Sequence, residues 1–145
     1  MKQYRIYTMS KVDGLTYEQQ MEWRKQLESL IREKTDVSVS FIHPPMYYDY
    51  NNGEYHHNER EAKLWSISQI YNSDIVIVNL DNISNSVETI YELGVIDAIN
   101  SIGNKFIHVI GVGKYAHPWV VDSILLRKET NLEDAAEYVV NYLLL

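Results

Sequence analysis

The distribution of apolar and polar residues along the chain predicts short strands that alternate with longer amphipathic helices. Four strand patterns are found: Tyr4 to Thr8, Val37 to Ile42, Asp74 to Leu80 and Phe106 to Val112. The third of them, DIVIVNL, is apolar almost without interruption, which is typical of a parallel strand buried on both faces. The alternation predicts a doubly wound α/β fold, flavodoxin-like or Rossmann-like, with about five parallel strands and helices on both faces of the sheet.

The helix patterns lie between these strands and carry recognisable ends. Thr16 caps a first helix that continues to about Lys34, and a second helix extends over roughly Glu59 to Tyr71. A third helix is predicted over Val87 to Asn100, with Gly103 as the residue that ends it. A capping box of Thr130 and Glu133 predicts the start of a final helix that continues through Tyr142. No repeat or linker-like segment interrupts the pattern, which predicts one domain over residues 1–145.

Composition excludes several classes of protein. The net charge is −7, from 20 acidic and 13 basic residues, which argues against a nucleic-acid-binding face but leaves a small anionic ligand possible. The chain has no cysteine, so disulfides and thiolate chemistry are excluded. The longest apolar run, Ile75 to Val78, is too short for a membrane span, and the amino terminus resembles a strand more than a signal peptide, which predicts a cytoplasmic protein.

Ligands of open parallel sheets bind outside the carboxyl ends of the strands, so the loops that follow the strands are the first candidates for a site. Three loops converge there in the predicted fold: Met9 to Gly14, Asn79 to Ser86 and Gly111 to Trp119. A tyrosine-rich segment after the second strand adds four rings: Tyr47, Tyr48, Tyr50 and Tyr55. Such rings can stack on a nucleobase, although packing among themselves or at a subunit contact explains any single one at least as well.

Glu92 is the candidate functional residue that spacing alone identifies. It lies in the first turns of the third helix, and Val95, Ile96 and Ile99 follow at positions that share its helical face. A carboxylate at the top of a core-facing stripe is partly buried, and a poised carboxylate beside a cleft is suited to nucleophilic or acid–base catalysis. An acid that complements the helix dipole and points to solvent is the alternative that periodicity leaves open.

The start of the same helix has two candidate caps. Asn85 and Ser86 each carry a side-chain oxygen for the first-turn amides, and Asn85 with Glu88 matches a capping box. Capping explains these residues completely, but a serine at a helix start can also help to hold a phosphate. His117, in the loop after the fourth strand, is a candidate site residue or a packing residue in equal measure.

Neither a metal nor an organic cofactor is predicted. His56 and His57 lie near Glu59 and Glu61, but adjacent histidines rarely bind one ion together and no third ligand has a fixed spacing. The chain contains no GxGxxG, Walker A or GxSxG pattern, so dinucleotide-binding, P-loop and α/β-hydrolase hypotheses fail.

Several short motifs occur together in this chain. The first strand ends in Ile6-Tyr7, the first helix carries Trp23-Arg24, and the second strand ends in Pro44-Pro45. The strand SDIVIVNL is followed by SVETIYELG, and HPW and AAEYVVNYL complete the set. This combination resembles the nucleoside 2-deoxyribosyltransferase family, especially its short phage and bacterial members and the related 2′-deoxynucleoside 5′-monophosphate N-glycosidases, over nearly the whole chain.

The resemblance implies an enzyme that cleaves the N-glycosidic bond of 2′-deoxynucleosides or their 5′-monophosphates. The glutamate of the ELG motif, here Glu92, would form a covalent glycosyl-enzyme, and Tyr7 would orient it. Ser86 matches the serine of monophosphate-specific members, and Lys11 would add a positive charge. The resemblance further implies a homodimer or higher homo-oligomer with shared sites. Together with the loop positions above, it leads us to expect no cofactor and these substrate-binding residues: Ser86, Glu88, Thr89, Ser66, Asp81, Lys11, Tyr47, His117 and Trp119.

Three departures from the family pattern define the alternative function. Ser66 stands where the family usually has an aspartate that meets the base, Glu88 stands where a glycine is usual, and Ser10-Lys11 replaces a Gly-Pro pair. A catalytically impaired relative that binds a nucleotide or nucleotide-derived signal therefore remains the second hypothesis. A third hypothesis is a relative of NAD-cleaving Toll/interleukin-1 receptor domains. It is the weakest of the three, because this chain lacks the sequence boxes of that family.

Overall fold

A five-stranded parallel sheet in the order β2-β1-β3-β4-β5 forms the centre of the structure. The computed structural model describes residues 2–12, 14–47, 59–115 and 117–145. The strands are β1 (Tyr4–Met9), β2 (Val39–Ile42), β3 (Ile75–Asn79), β4 (His108–Val112) and β5 (Arg127–Glu129). This order is that of flavodoxin-like sheets, whose topological switch point, and therefore whose ligand crevice, lies between β1 and β3 at the carboxyl edge.

Helices cover both faces of the sheet. They are α1 (Tyr17–Lys34), α2 (Glu59–Tyr71), α3 (Val87–Ile102), α4 (Pro118–Val121) and α5 (Leu132–Tyr138), with 3₁₀ turns at Pro44–Tyr47 and Ile83–Asn85 and a π-helical turn at Val139–Leu143. Thr16 caps α1 through a capping box with Gln19, and Gly103 ends α3 in the left-handed conformation, as the sequence predicts.

Each face of the sheet has its own apolar core. Helices α1 and α5 pack on one face, where the buried residues include Ile6, Leu27, Ile31, Ile77, Ile110 and Ala135. Helices α2 and α3 pack on the other, where they include Tyr7, Met9, Ile70, Val78, Leu93 and Ile96. Because side chains alternate along a strand, neighbouring residues of β1 point into different cores. This alternation places Tyr7 on the α2/α3 face and Thr8 on the α1/α5 face.

The predicted α/β fold is confirmed, and two local predictions are wrong. Asn131, not Thr130, caps α5, because its side chain accepts a hydrogen bond from the Asp134 amide at 2.8 Å. Asn85 lies within a 3₁₀ turn, so Ser86 alone caps α3. The strand β5 is not visible in the hydropathy pattern because it has only three residues, all charged, a composition that suits the exposed edge of a sheet.

Candidate active site

The carboxyl end of β1 and the first turns of α3 bring Tyr7 and Glu92 together. Tyr7 is only 2% exposed, and its hydroxyl donates to Oε2 of Glu92 at 3.4 Å. The pair lies on the α2/α3 face at the switch-point edge, because β1 carries Tyr7 and the helix that follows β3 carries Glu92. The carboxyl group therefore faces the end of the sheet and contacts a buried phenol.

Electrostatics make Glu92 an unusual carboxyl group. Burial raises its pKa from 4.5 to about 7; the hydrogen bond from Tyr7 and the positive charge of Arg24 oppose this increase, while the negative charge of Glu88 adds to it. A pKa in this range means that the protonated and the ionised forms are both populated near neutral pH. A carboxylate with so little compensation is a strong candidate for direct participation in chemistry.

Hydrogen bonds between Ser86 and Thr89 cap the amino-terminal turn of α3. Ser86 is buried, its hydroxyl lies 2.7 Å from Thr89 Oγ1, and it accepts a hydrogen bond from the Thr89 amide at 3.3 Å. Glu88 is exposed one turn before Glu92, where its charge acts on the Glu92 carboxyl. The Ser86 hydroxyl thus has a structural role as a helix cap in this structure.

On the opposite face of β1, a chain of hydrogen bonds leads away from the same end of the strand. Arg24 is 1% exposed; its Nε donates to Thr8 Oγ1 at 2.9 Å and its Nη1 donates to the Gln20 carbonyl at 2.7 Å. Thr8 Oγ1 lies 2.8 Å from His43 Nδ1, and His43 Nε2 lies 2.7 Å from Glu28 Oε1. Three segments distant in sequence are joined directly behind Tyr7.

The charge states of this network differ from that of Glu92. Burial would raise the pKa of Glu28, but hydrogen bonds from His43 and Arg32 outweigh it and hold the pKa below 4.5. Burial lowers the pKa of His43 and outweighs the attraction of Glu28, so the imidazole is neutral at pH 7. Sequence analysis missed the network, although one feature pointed to it: Arg24 occupies the same helical face as the buried Met21 and Leu27.

Asp81 and Lys11 lie at the same edge of the sheet as the Tyr7–Glu92 pair. The Asp81 amide donates to Oδ1 of Asn79 at 3.0 Å, in the turn that leaves β3. Gly113 has φ 134°, and a Cβ at that position would lie 3.2 Å from Asp81 Oδ1, so glycine leaves room for the Asp81 carboxylate beside the end of β4. Lys11 is half-buried in the loop that follows β1.

Ser66 and Tyr47 are associated with α2. Ser66 is buried, so it lies on the side of α2 that packs against the protein. Tyr47 ends a 3₁₀ turn after β2, and its ring packs against Trp65 of α2 with a centroid distance of 5.0 Å. The first ring of the tyrosine-rich segment is thus anchored beside the helix that carries Ser66.

His117 and Trp119 lie in the segment that follows β4, with Trp119 inside the short helix α4. His117 caps the short helix α4, since its Nδ1 accepts a hydrogen bond from the Trp119 amide at 3.2 Å, and its ring stacks on Tyr115. Trp119 is 81% exposed. His117 therefore has a local structural role, while Trp119 presents a large apolar surface.

Some of the sequence predictions fall on residues about which nothing is described. Tyr48, Tyr50, Tyr55, His56 and His57 lie outside the described ranges. Within those ranges, no group of three or more histidine, aspartate or glutamate side chains is placed to hold a metal ion. In the same part of the chain, no helix has both the length and the apolar character that crossing a membrane requires.

Solved structures share this fold. A conserved protein from Enterococcus faecalis V583 aligns with a TM-score of 0.71 and 15% identity, over 94% of this chain and 96% of its own. A 2-deoxyribosyltransferase from the psychrotolerant bacterium Bacillus psychrosaccharolyticus, a biocatalyst for nucleoside synthesis, aligns with a TM-score of 0.58 and 20% identity, over 95% and 91%. No protein-family model and no curated protein matches the chain. At these identities the likeness establishes the fold.

Proposed function

We propose that this protein cleaves the N-glycosidic bond of 2′-deoxynucleosides or their 5′-monophosphates, with Glu92 as nucleophile and water or a second base as acceptor. The observation that carries the proposal is the contact between the Tyr7 hydroxyl and the Glu92 carboxyl at the ligand-binding edge of the sheet. The fold shared with a 2-deoxyribosyltransferase supports the same conclusion.

The proposed chemistry follows the logic of retaining glycosidases. An oxygen of ionised Glu92 forms a bond to the anomeric carbon while the bond from that carbon to the base nitrogen breaks, and the bonding electron pair leaves with the base. Water or another base then attacks the same carbon and releases the glutamate. Tyr7 holds Oε2 during the first step, which leaves the other carboxylate oxygen for attack.

Departure of the base requires a proton on its nitrogen. Ser66 occupies the position of the aspartate that the resemblance leads one to expect, and a serine hydroxyl is far too weak an acid for this purpose. We therefore propose that solvent donates the proton to the departing base. The best substrates should then be the purine and pyrimidine nucleosides whose bases leave most readily. Asp81, Tyr47 and Trp119 are proposed contacts to sugar and base at the same edge.

For the 5′ end we propose Ser86, Thr89, Glu88, Lys11 and His117 as neighbours. Lys11 would favour a phosphate and Glu88 would oppose it, so nucleosides and monophosphates must be compared directly.

We also propose a homo-oligomer with shared sites. Large apolar side chains exposed on α2 and at the start of α3 support it: Leu64, Val87, Ile90 and Tyr91. Sedimentation equilibrium tests this, and a monomer at all concentrations would contradict it.

The test of the function is release of free base. Deoxynucleosides and deoxynucleoside monophosphates are incubated with wild type, Glu92→Gln and Glu137→Gln, and the products are separated by chromatography. Glu137 is an exposed acid of α5 and serves as the matched control. Release by wild type and Glu137→Gln but not by Glu92→Gln is expected. Absence of release from every substrate would contradict the proposal.

A second candidate function is a nucleotide-binding module without turnover. Two observations favour it: Ser66 cannot act as the acid, and the charge of Glu88 raises the pKa of Glu92 and so reduces the ionised nucleophile. A ligand at about 100 times its Kd stabilises a protein by about 2.7 kcal/mol, which a thermal-shift screen detects. Stabilisation by a nucleotide that is recovered intact would favour this candidate over the enzyme.

A further inference from the structure

We propose that Arg24 is a positioning residue for the proposed nucleophile: a buried cation behind β1 whose hydrogen bond to Thr8 fixes the strand end that carries Tyr7, the partner of Glu92. Its kinetic consequences rest on the proposed function, whereas its effect on the ionisation of Glu92 does not. Nothing in the resemblance or the structural likeness assigns a role to this side chain.

The first step of the argument is the direction of the hydrogen bonds. The Glu28 carboxylate can only accept, so neutral His43 must donate from Nε2 and accept at Nδ1. The Thr8 hydroxyl then donates to His43 Nδ1 at 2.8 Å, which is closer than the Ile42 carbonyl, its other acceptor at 3.3 Å. The same hydroxyl accepts from Arg24 Nε. All donors are therefore aligned from the Arg24 cation to the Glu28 anion, and the side chain of Thr8 is held between α1 and the end of β2.

The second step is the location of Thr8. It directly follows Tyr7 in β1, and the two side chains point to opposite faces of the sheet. Fixing the Thr8 side chain at 2.9 Å from a buried guanidinium also fixes the backbone that carries the phenol. The hydrogen bond between Arg24 and Thr8 on the α1/α5 face therefore helps to position Tyr7 for its 3.4 Å contact with Glu92 on the α2/α3 face.

The third step is the charge that Glu92 experiences. Within the described part of the chain, three elements present polar or charged groups to it: β1 presents the Tyr7 hydroxyl, α3 presents Glu88, and α1 presents Arg24. Of these only Arg24 is a cation, and a guanidinium stays charged at every pH of interest. Because Arg24 is buried, salt screens its field weakly. It opposes the effects of burial and of Glu88, both of which favour the protonated acid.

The test measures ionisation of Glu92 directly. Wild type, Arg24→Gln and Arg24→Lys are labelled with ¹³C at the glutamate carboxyl and titrated by NMR, with Glu92→Gln identifying the resonance. Both variants lose the guanidinium geometry, but only Arg24→Gln loses the charge. We expect the Glu92 midpoint to rise by about half a pH unit or more in Arg24→Gln and by clearly less in Arg24→Lys. Equal midpoints in wild type and Arg24→Gln would overturn the proposal.

Removal of a buried cation can prevent folding, so a second variant carries the same prediction. Arg24→Met combined with Thr8→Val replaces both partners of the hydrogen bond by apolar groups of similar shape, which destabilises far less than removing one. Sucrose in all samples further favours the compact state. The Glu92 midpoint should rise in this double variant as in Arg24→Gln, and an unchanged midpoint would overturn the proposal equally.

Kinetics distinguish positioning from a purely structural role. In Arg24→Gln the acidic limb of kcat/KM for base release should move to higher pH together with the NMR midpoint. A structural role alone would lower kcat/KM at all pH values without moving the limb, which would contradict the proposal. If no variant releases base while the NMR midpoints behave as expected, the proposed function is wrong and the assignment of Arg24 stands.

Discussion

Two glutamates near the end of β1 have opposite electrostatic environments. Glu28, on the α1 side, accepts hydrogen bonds from His43 and Arg32, and its pKa lies below the ordinary value of 4.5. Glu92, on the α3 side, accepts a long hydrogen bond from Tyr7 and has a neighbouring negative charge, and burial raises its pKa to about 7. Glu92 is the more deeply buried of the two, and burial is the largest cause of its raised pKa. Only at Glu28 do the partners outweigh burial, so the difference comes from burial and partners together.

This difference separates a residue that stabilises the fold from one that opposes it. A carboxylate with a full set of donors has its desolvation compensated, whereas a carboxylate without them makes the ionised folded state less favourable. Proteins tolerate the second arrangement mainly at sites where the group does chemistry. The contrast between Glu28 and Glu92 is therefore the physical argument for placing the reaction at Glu92.

The largest expected effect is on activity. Glu92→Gln removes the proposed nucleophile and should lower the rate of base release by about a thousandfold or more, since loss of a catalytic nucleophile has effects of this size or greater. The equivalent change at Glu28 removes no reacting group. Initial rates from chromatography of free base measure the effect, and a loss below tenfold would remove the functional distinction between the two glutamates.

The next effect concerns stability, and it has the opposite sign to the usual result of a buried substitution. Between pH 4.5 and 7 the folded protein binds more protons at Glu92 than the unfolded chain, so wild-type stability falls as the pH rises through this window. Above pH 7, where Glu92 is ionised in both states, the raised pKa lowers the free energy of unfolding by about 3 kcal/mol. Glu92→Gln should thus be more stable than wild type at pH 8, by up to about that amount, and equally stable at pH 4.

Urea unfolding at the two pH values measures this difference. Glu137→Gln, on the exposed face of α5, is the control and should change little at either pH. A Glu92→Gln protein less stable than wild type at pH 8 would show that the carboxylate is well compensated after all.

Tyr7→Phe sharpens the comparison, because it removes the hydrogen bond that Tyr7 donates to the poorly compensated Glu92. Hydrogen bonds to charged groups contribute about 1.5–3 kcal/mol, so kcat for base release should fall about tenfold to a hundredfold. Because the Tyr7 hydroxyl lowers the pKa of Glu92, its loss should also move the acidic limb of kcat/KM above pH 7. A pH profile with an unmoved limb would contradict the assigned role of Tyr7.

The smallest effect is expected at the well-compensated acid. The lowered pKa of Glu28 contributes stability that is present above pH 4.5 and is lost as the pH falls through the folded-state pKa. Glu28→Gln should therefore destabilise the protein at pH 7 by about 1–2 kcal/mol, and less in acid. Urea unfolding at pH 7 and pH 3 measures it. A gain in stability at pH 7 would make Glu28 resemble Glu92 and would end the contrast.

The extent to which sequence predicts this molecule depends on the range of the interactions. The strand β3 and the helix α3 were predictable because apolar spacing is a local property, and the same spacing identified Glu92. Tyr7 was reached through the family resemblance alone. The link from Arg24 through Thr8 to His43 joins three segments through tertiary folding, so no local pattern encodes it.

The most direct test of the central claim is to look for sugar on the nucleophile. Wild type is mixed with a 2′-deoxynucleoside, quenched in acid within one turnover, and examined by intact mass and peptide mapping. The account predicts a mass increase of one deoxyribosyl unit on the peptide that contains Glu92, and no increase in Glu92→Gln. Base release that proceeds without this adduct, and equally in Glu92→Gln, would contradict it.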